Sequence, residues 1–268
     1  MEILFEEISR TIAAYIWPLF RISSMLMVMA VFGANTTPAR IRLLLSVAIT
    51  VAVAPVLPAF VEPVELFSLS SVFISAQQIL IGTAMGFVTI LVMQTFVLTG
   101  QIIGMQTSLG FASMVDPGSG QQTPVVGNFF LLLATLIFLA VDGHLLMFKM
   151  LVASFDTIPI SNQGFSITNY RRLAEFGGYM FGAALTMSIS AIVALLLINL
   201  SFGVMTRASP QLNIFAIGFP VTMVSGLLIL WLTLGPIMSH FDEVWLQGQL
   251  LMCDILQLTC QIDGSITQ

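Results

Sequence analysis

Residues 66–115 form the longest charge-free run of this chain and read LFSLSSVFISAQQILIGTAMGFVTILVMQTFVLTGQIIGMQTSLGFASMV. The run holds 50 residues without Asp, Glu, Lys or Arg. About 20 apolar residues are enough to cross the hydrocarbon core of a bilayer. The run therefore predicts an integral membrane protein, with one spanning helix near 70–99 followed by a less regular segment.

The rest of the chain extends this pattern. Of 268 residues, 57% are hydrophobic and 8% are charged, whereas soluble domains carry about 25% charged residues. We expect an all-α, polytopic membrane protein of about six hydrophobic helices. Their predicted positions are 12–34, 43–61, 70–99, 125–153, 176–205 and 214–240. Pro18, Pro220 and Pro236 lie inside hydrophobic runs and predict kinks, because proline removes a backbone donor.

The composition argues against several function classes. The net charge is −5, and no basic stripe is available to neutralise phosphates, so a nucleic-acid partner is not expected. The sequence contains no HExxH, GxSxG, Walker A or GxGxxG pattern. With two histidines in the chain, we expect no enzyme activity, no cofactor and no metal site.

The two cysteines, Cys253 and Cys260, are seven residues apart. If both lie on one helix, the rise between them is about 10 Å, which is too far for a disulfide. We therefore expect two free thiols.

Three polar residues fall within or beside the hydrophobic segments. Arg21 lies in the first segment, where snorkelling to the interface is favoured over a substrate contact. Asp142 and His144 lie late in the fourth segment. Ionisable groups at membrane depth are costly and often functional. A proton relay is one interpretation, and a structural hydrogen-bonded pair near the interface, with Lys149 one turn further on, is the favoured one.

The connection at 100–124 is polar and rich in glycine, yet it carries Leu109, Phe111 and Met114. It is too polar for a spanning helix. A loop in open solvent would not need these large apolar side chains. They indicate a loop that packs against protein or lies inside a pore.

The segment 199–220 has the pattern of a helical hairpin tip. Arg207 suits a helix C-terminus, where a cation meets exposed carbonyl groups. Pro210 ends that helix, and Gln211 and Asn213 offer polar groups that can cap the next one. The tip is either a well-formed turn or, in addition, a docking site for a partner.

Basic residues give a divided indication of membrane orientation. Arg40, Arg42 and Arg207 place the first and last loops in the cytoplasm and both chain ends outside. Lys149, Arg171 and Arg172 favour the opposite orientation.

Three motifs in order resemble one known family over essentially the whole chain. Residues 203–220 read GVMTRASPQLNIFAIGFP, which resembles the signature of the FliR family of flagellar biosynthetic proteins and their counterparts in injectisome type III secretion. The stretch 110–117 (GFASMVDP) resembles the central loop of that family. The stretches 138–144 (FLAVDGH) and 154–160 (SFDTIPI) resemble its fourth-segment motif. The family often has Asn where this chain has Asp142, which weakens the case for a required charge.

The resemblance implies a single export-gate membrane domain, 1–268, built from kinked helical hairpins. Such a subunit assembles with FliP-like and FliQ-like subunits and an FlhB-like switch protein, in contact with membrane lipid. It belongs in the flagellar basal body at the bacterial inner membrane. Its expected function is to form part of the channel through which unfolded flagellar subunits are exported.

The resemblance also implies site residues. The loop 104–122 would be a plug that narrows the closed pore, through Met105, Gln106, Leu109, Gly110, Phe111, Met114, Asp116 and Pro117. The tip 199–220 would contact partners through Arg207, Pro210, Gln211, Asn213, Phe215, Gly218 and Pro220. Independently of the resemblance, the positions of Arg21, Asp142 and His144 in the hydrophobic segments predict buried polar residues.

Two other function classes compete with an export gate. A small-solute secondary transporter is typically built from inverted repeats with broken helices, and no clear internal repeat is visible here. An intramembrane enzyme needs a nucleophile, base or metal set, and the sequence offers only isolated Asp142, His144 and Arg207.

Overall fold

Long charge-free runs leave the backbone no partner in lipid except itself, and helices satisfy that demand. In the computed structural model, which describes residues 2–34, 37–57, 68–107, 124–161, 165–208 and 214–260, the chain is helical with no β-strand among those residues. The helices are α1 (Glu2–Val28), α2 (Ala39–Val53), α3 (Leu69–Gln106), α4 (Val125–Ala140), α5 (Gly143–Thr157), α6 (Ile167–Ala208), α7 (Ile214–Thr233) and α8 (Ile237–Ile255), with a short 3-10 turn at Ala54–Val56. The predicted all-α class is confirmed.

Two predicted helices are each broken in two. The segment predicted at 125–153 is α4 and α5, which meet at an angle of 64°. The break lies at Asp142, whose φ of 55° is left-handed and cannot continue a right-handed helix. The segment predicted at 214–240 is α7, which bends by 61° into α8 just after Pro236. Proline explains this second break, because Pro236 cannot donate a backbone hydrogen bond to α7.

The membrane-spanning character agrees with the sequence. Among the described residues, four helices are long and apolar enough to cross a bilayer, and the number rises to six if each bent pair counts as one span. The candidate span in α6 buries only 22% of its residues within the chain, and the one in α2 buries 11%. Apolar helix faces of this extent need lipid or other apolar subunits around them.

The chain divides into two compact units. The first comprises Met1–Leu91, Leu139–Gly177 and Leu246–Gln268, and the second comprises Val92–Phe138 and Gly178–Trp245. The single domain 1–268 inferred from the resemblance stays a prediction.

In the first unit, α1 packs closely against the beginning of α3. Trp17 is buried with Ala13 and Ile74, and its indole nitrogen donates to the hydroxyl of Ser75 over 3.3 Å. Gly86 allows the close approach. A β-carbon there would lie 2.8 Å from the carbonyl oxygen of Met25. A side chain at position 86 would therefore push the two backbones apart.

In the second unit, aromatic rings link the end of α3, α4 and the beginning of α8. The rings of Phe96 and Phe241 have centroids 5.6 Å apart. Phe138 and Trp245 meet edge to face at 5.0 Å, which is a preferred arrangement for aromatic pairs. The last hydrophobic segment was predicted to end at 240, because charged residues follow it. The packing of Phe241 and Trp245 explains why the chain is nevertheless helical through these charged residues.

The end of α8 corrects the prediction for the cysteines. Cys253 and Cys260 form a disulfide, with Cα atoms 6.1 Å apart. The prediction of two free thiols was wrong because it placed both residues on one helix. The helix ends at Ile255, and the chain reverses at Gln257, where φ is 55°. The reversal shortens a two-turn separation to disulfide distance.

Candidate functional site

The plug-like loop of 104–122 is described only where it leaves α3. Met105 and Gln106 lie in the last turn of α3, and Met105 is 73% exposed. The remaining candidate plug residues lie outside the described residues: Leu109, Gly110, Phe111, Met114, Asp116 and Pro117. What the structure supplies is therefore the base from which this loop starts and to which it returns.

At that base, the end of α3 and the start of α4 touch backbone to backbone. A β-carbon on Gly100 would lie 2.7 Å from the carbonyl oxygen of Val126 and 2.8 Å from the Cα of Gly127. Backbone atoms cannot move aside as a flexible side chain can, so position 100 must be glycine for this contact. One turn later, Gly104 faces the side chain of Val126 at ordinary contact distance. The two helices that frame the loop are thus joined where the loop begins and ends.

A third helix closes the base. Thr107, the last described residue before the loop, is fully buried, and its hydroxyl donates to the carbonyl oxygen of Gly104 over 3.0 Å. Its side chain fills the space beside Gly226 of α7, where a β-carbon would collide with it. We call the junction of Gly100, Thr107, Val126, Gly127 and Gly226 the loop base. It holds both ends of a 16-residue segment, 108–123, on three packed helices.

The hairpin tip is described up to its two shoulders. Arg207 lies in the last turn of α6 and is exposed, which confirms its predicted place at a helix C-terminus. On the other side, Gly218 is buried in α7 and Pro220 is exposed within it. Pro210, Gln211 and Asn213 lie outside the described residues, as does the side chain of Phe215. Whether the tip contacts a partner stays a prediction.

Arg21 is completely buried, so the favoured interpretation of a snorkelling side chain was wrong. Its Nε donates to the side-chain oxygen of Gln78 over 2.8 Å. Its Nη1 donates to the carbonyl oxygen and the hydroxyl of Ser154, at 2.9 and 3.0 Å. Its Nη2 donates to the carbonyl oxygen of Ile158 at 2.9 Å. One guanidinium therefore connects α1, α3 and the end of α5.

The charge of Arg21 is balanced by dipoles and by a ring. Two of its acceptors are the carbonyl groups that end α5, where the helix dipole is negative. The guanidinium carbon also lies 4.2 Å from the ring centroid of Phe155, a favourable position for a cation over an aromatic face. These four acceptors are amide, carbonyl and hydroxyl oxygens, and none of them is a carboxylate. The arrangement suits a structural clamp, because the guanidinium is fully buried and donates both to α3 and to the end of α5.

The other two predicted polar residues are not part of this clamp. Asp142 is exposed at the α4–α5 break, so the prediction that it is buried was wrong. At the bend it supplies the left-handed backbone conformation, with φ 55°. His144 is partly buried, and its Nδ1 has no hydrogen-bond partner among the described residues. The predicted Asp142–His144 pair is therefore not formed through that nitrogen.

Within the described residues, no group of three or more His, Cys, Asp or Glu side chains is placed to hold a metal ion. The sequence indicated Arg21 but not its partners. Gln78 and Ser154 are single polar residues in apolar helices, and only their helix faces could have suggested that they point inward. The four-residue spacing of Gly100 and Gly104 is of a kind that permits close helix approach, whereas Gly226 in α7 stands in no such pattern.

The chain matches the model of one protein family, described as bacterial export proteins, family 1, over residues 12–248. This match covers the described parts of all eight helices except the beginning of α1 and the end of α8.

Curated proteins from several bacteria are similar over nearly the same length. The flagellar biosynthetic protein FliR of Escherichia coli (strain K12) is 36% identical over 85% of this chain and 87% of its own. That of Pectobacterium carotovorum subsp. carotovorum is 37% identical over 91% of this chain and 93% of its own. That of Aquifex aeolicus (strain VF5) is 31% identical over 84% and 88%.

Proposed function

This chain belongs to family 1 of the bacterial export proteins, with the FliR proteins of flagellar biosynthesis, and we propose that it forms part of the export channel itself. Membership of this family makes it a component of the flagellar type III export gate. The proposal adds that unfolded flagellar subunits pass beside it across the bacterial inner membrane. The loop 108–123 closes that path until a substrate engages.

The loop base carries the proposal. A closure element needs a fixed hinge and a mobile body, since a hinge that yields would let the whole hairpin move. The contact of Gly100 with Val126 and Gly127 joins both ends of the loop rigidly. Thr107 is locked against Gly226 at the same place. These contacts fix the points at which the loop leaves α3 and enters α4.

The composition of the loop suits a closed but deformable seal. Leu109, Phe111 and Met114 supply apolar bulk, and Met105 presents a further exposed thioether at the end of α3. Thioether and small side chains repack at low cost. Glycines in the loop allow the backbone to change conformation. Such a loop excludes water and ions when packed and moves aside without breaking a fixed polar network.

The apolar faces of α2 and α6 are extensive enough to contact partner subunits as well as lipid. Both candidate spans bury little of their surface within the chain. We place FliP-like and FliQ-like gate subunits against these faces, in the flagellar basal body. The exposed Arg207 at the end of α6 would meet the FlhB-like switch protein, whose docking would use the polar tip.

The proposed gate performs no bond chemistry, and the energy for export comes from elsewhere in the apparatus. A small-solute transporter is not favoured, although the two bent helix pairs resemble the broken helices of such proteins. Family membership, not helix shape, separates the two classes.

The test uses the assembled gate in membrane vesicles and measures leakage of small ions. Deletion of 108–120 spares Thr107, whose packing belongs to the loop base, and the joined ends of α3 and α4 can tolerate the shorter connection. We expect the deletion to raise ion leakage strongly, because the seal is removed while the base remains. Unchanged leakage in a normally assembled complex would contradict the plug.

A matched pair of variants separates the seal from the loop backbone. Replacing Leu109, Phe111 and Met114 together by serine should also raise leakage. Replacing Ser108, Ser113 and Ser119 together by alanine changes the same loop but keeps its apolar bulk, and leakage should stay low. Equal leakage from the two triple variants would show that closure does not depend on apolar packing.

A further inference from the structure

The end of α8 is closed by partners for its last carbonyl groups. The N–H of Leu258 donates to the carbonyl oxygen of Cys253 over 2.8 Å, and that of Gln257 to the carbonyl oxygen of Asp254 over 3.3 Å. Together with the left-handed Gln257, these bonds form a Schellman turn. The turn sends the chain back along α8 and brings Cys260 to its disulfide partner.

The reversed end is also held by the beginning of α6. The side-chain amide of Asn169, itself buried, donates to the carbonyl oxygen of Ile255 over 3.1 Å. The guanidinium of Arg172 forms an ion pair with the carboxylate of Asp254. The disulfide therefore lies at the place where the last turn of α8 meets the first turns of α6. We give the name α8 clasp to the Cys253–Cys260 disulfide together with Asn169, Arg172, Asp254 and Ile255.

We propose that the α8 clasp is closed by oxidation outside the cytoplasm, and that it fixes the end of α8 and the beginning of α6 on the extracytoplasmic face of the membrane. Thiols are kept reduced in the cytoplasm, whereas disulfides form and persist in oxidising compartments such as the bacterial periplasm. A disulfide built into a capped helix end identifies the compartment in which that end folds.

The exposed fractions of the two cysteine side chains suit oxidation by an enzyme. Cys253 is 6% exposed, whereas Cys260 is more accessible. The Cys260 thiolate attacks the disulfide of an extracytoplasmic thiol oxidoreductase and forms a mixed disulfide. The Cys253 thiolate then displaces that protein and forms the Cys253–Cys260 bond. The two cysteines lose two protons and two electrons, and the oxidoreductase leaves as its dithiol.

The α8 clasp indicates which end of α6 lies on which face of the membrane, a question that the basic residues leave open. Arginines near both ends of α6 give conflicting indications. If α6 crosses the membrane once, its two ends lie on opposite faces. An extracytoplasmic start then places Arg207 on the cytoplasmic face. The compartment in which the disulfide forms thus fixes the orientation of α6 independently of its flanking charges.

The first test reads the thiols directly. Cells producing the full chain are quenched in acid, and free thiols are labelled with a maleimide that carries a polyethylene glycol mass tag. The wild type should take no tag before reduction and two tags after it, and C253A or C260A one tag each. In cells without the extracytoplasmic thiol oxidoreductase, the wild type should take two tags. Two tags in oxidising cells, or no tags in cells without the oxidoreductase, would overturn the proposal.

The second test locates the clasp without relying on its disulfide. Two single-cysteine reporters are made in the C253A/C260A chain: Gln257→Cys beside the clasp, and the matched Met205→Cys near the other end of α6. Both positions are exposed. In intact spheroplasts, a membrane-impermeant maleimide should label the Gln257→Cys chain, and it should label the Met205→Cys chain only after lysis. The reverse pattern, or equal labelling before lysis, would contradict the assignment.

Discussion

The Nη2 nitrogen of Arg21 lies 2.9 Å from the carbonyl oxygen of Ile158, the residue that caps the end of α5. The helix end is thereby closed by a side chain from α1, more than 130 positions earlier in the chain. An apolar residue could fill the volume but could not donate a hydrogen bond to the carbonyl group. The clamp thus joins distant parts of the sequence through one cation.

Replacement of Arg21 by methionine should destabilise the chain severely. It leaves the side-chain oxygen of Gln78 and the carbonyl oxygen of Ile158 buried without donors, and each such group costs roughly 1–3 kcal/mol. We expect a loss of roughly 2–6 kcal/mol, seen as a lower melting temperature in detergent and less protein in the membrane. R21K should recover only part of this loss, because one ammonium cannot reproduce the fork of a guanidinium.

The control for the clamp is Arg40→Met, since Arg40 is exposed at the beginning of α2. This change removes the same charge and adds the same side chain. Equal destabilisation by the two substitutions would show that the buried hydrogen bonds of Arg21 are not the cause.

Gly86→Ala should separate α1 from α3. Its β-carbon meets the backbone of Met25 at 2.8 Å, and overpacking of this kind costs about 1–3 kcal/mol. The matched change is Gly178→Ala in α6, where a β-carbon meets nothing within 4 Å among the described residues. Thermal melting of the purified chain should fall for G86A. For G178A it should stay the same or rise, because alanine favours helix by up to about 1 kcal/mol.

G178A has a second expected outcome in the assembled gate. If the α6 face packs on a sister subunit, the added methyl group lowers recovery of the complex without lowering the stability of the isolated chain. The measurement is co-purification of the chain with its gate partners. Normal recovery of the complex would place that face towards lipid.

Asp142 should tolerate asparagine and reject valine. The left-handed backbone at φ 55° is open to Asn and costly for branched side chains. D142N should therefore keep stability and export close to wild type. D142V should cost about 1–2 kcal/mol and impair assembly, measured as membrane abundance and swimming in soft agar. A loss of export with D142N at normal abundance would show that the charge itself is required.

Opening the disulfide should lower stability by a moderate amount. A bridge over so short a loop restricts the unfolded chain by about 2–3 kcal/mol in the loop-entropy estimate. C260S should show this loss in thermal melting under oxidising conditions, and reductant should produce the same shift in the wild type. Asp254→Asn is the control for the neighbouring ion pair. Its partly exposed charges contribute little, so its effect should be smaller.

The sequence predicted the helices well where a charge-free run ended at a charge or a proline. The end of α6 next to Arg207 and the bend at Pro236 are of this kind, because their cause is local. The α4–α5 break was not predicted, since Asp142-Gly143 lies within a hydrophobic run and its left-handed backbone leaves no pattern in composition. Most of α8 was not predicted, because charged residues interrupt the hydrophobic run there. One face of this helix is nevertheless buried, at Phe241 and Trp245.

The sequence indicated which segment forms the candidate site, but not the contacts that hold this segment in place. Its central loop was visible as a polar interruption with apolar side chains. The contacts that anchor it depend on glycines that approach backbones distant in sequence, such as Gly226 beside Thr107. The disulfide was mispredicted for the same reason, because spacing along an assumed helix cannot foresee a chain reversal at Gln257.

The unbroken length of α3 has a consequence for the lipid around the protein. Its 38 residues contain no charge and extend for about 57 Å. To fit a hydrocarbon core about 30 Å thick, the helix would have to tilt by about 58°, whereas spanning helices tilt by about 0–40°. This hydrophobic mismatch is too large for the bilayer to absorb by thickening. Part of α3 must therefore lie outside the hydrocarbon core, where other protein or water surrounds it.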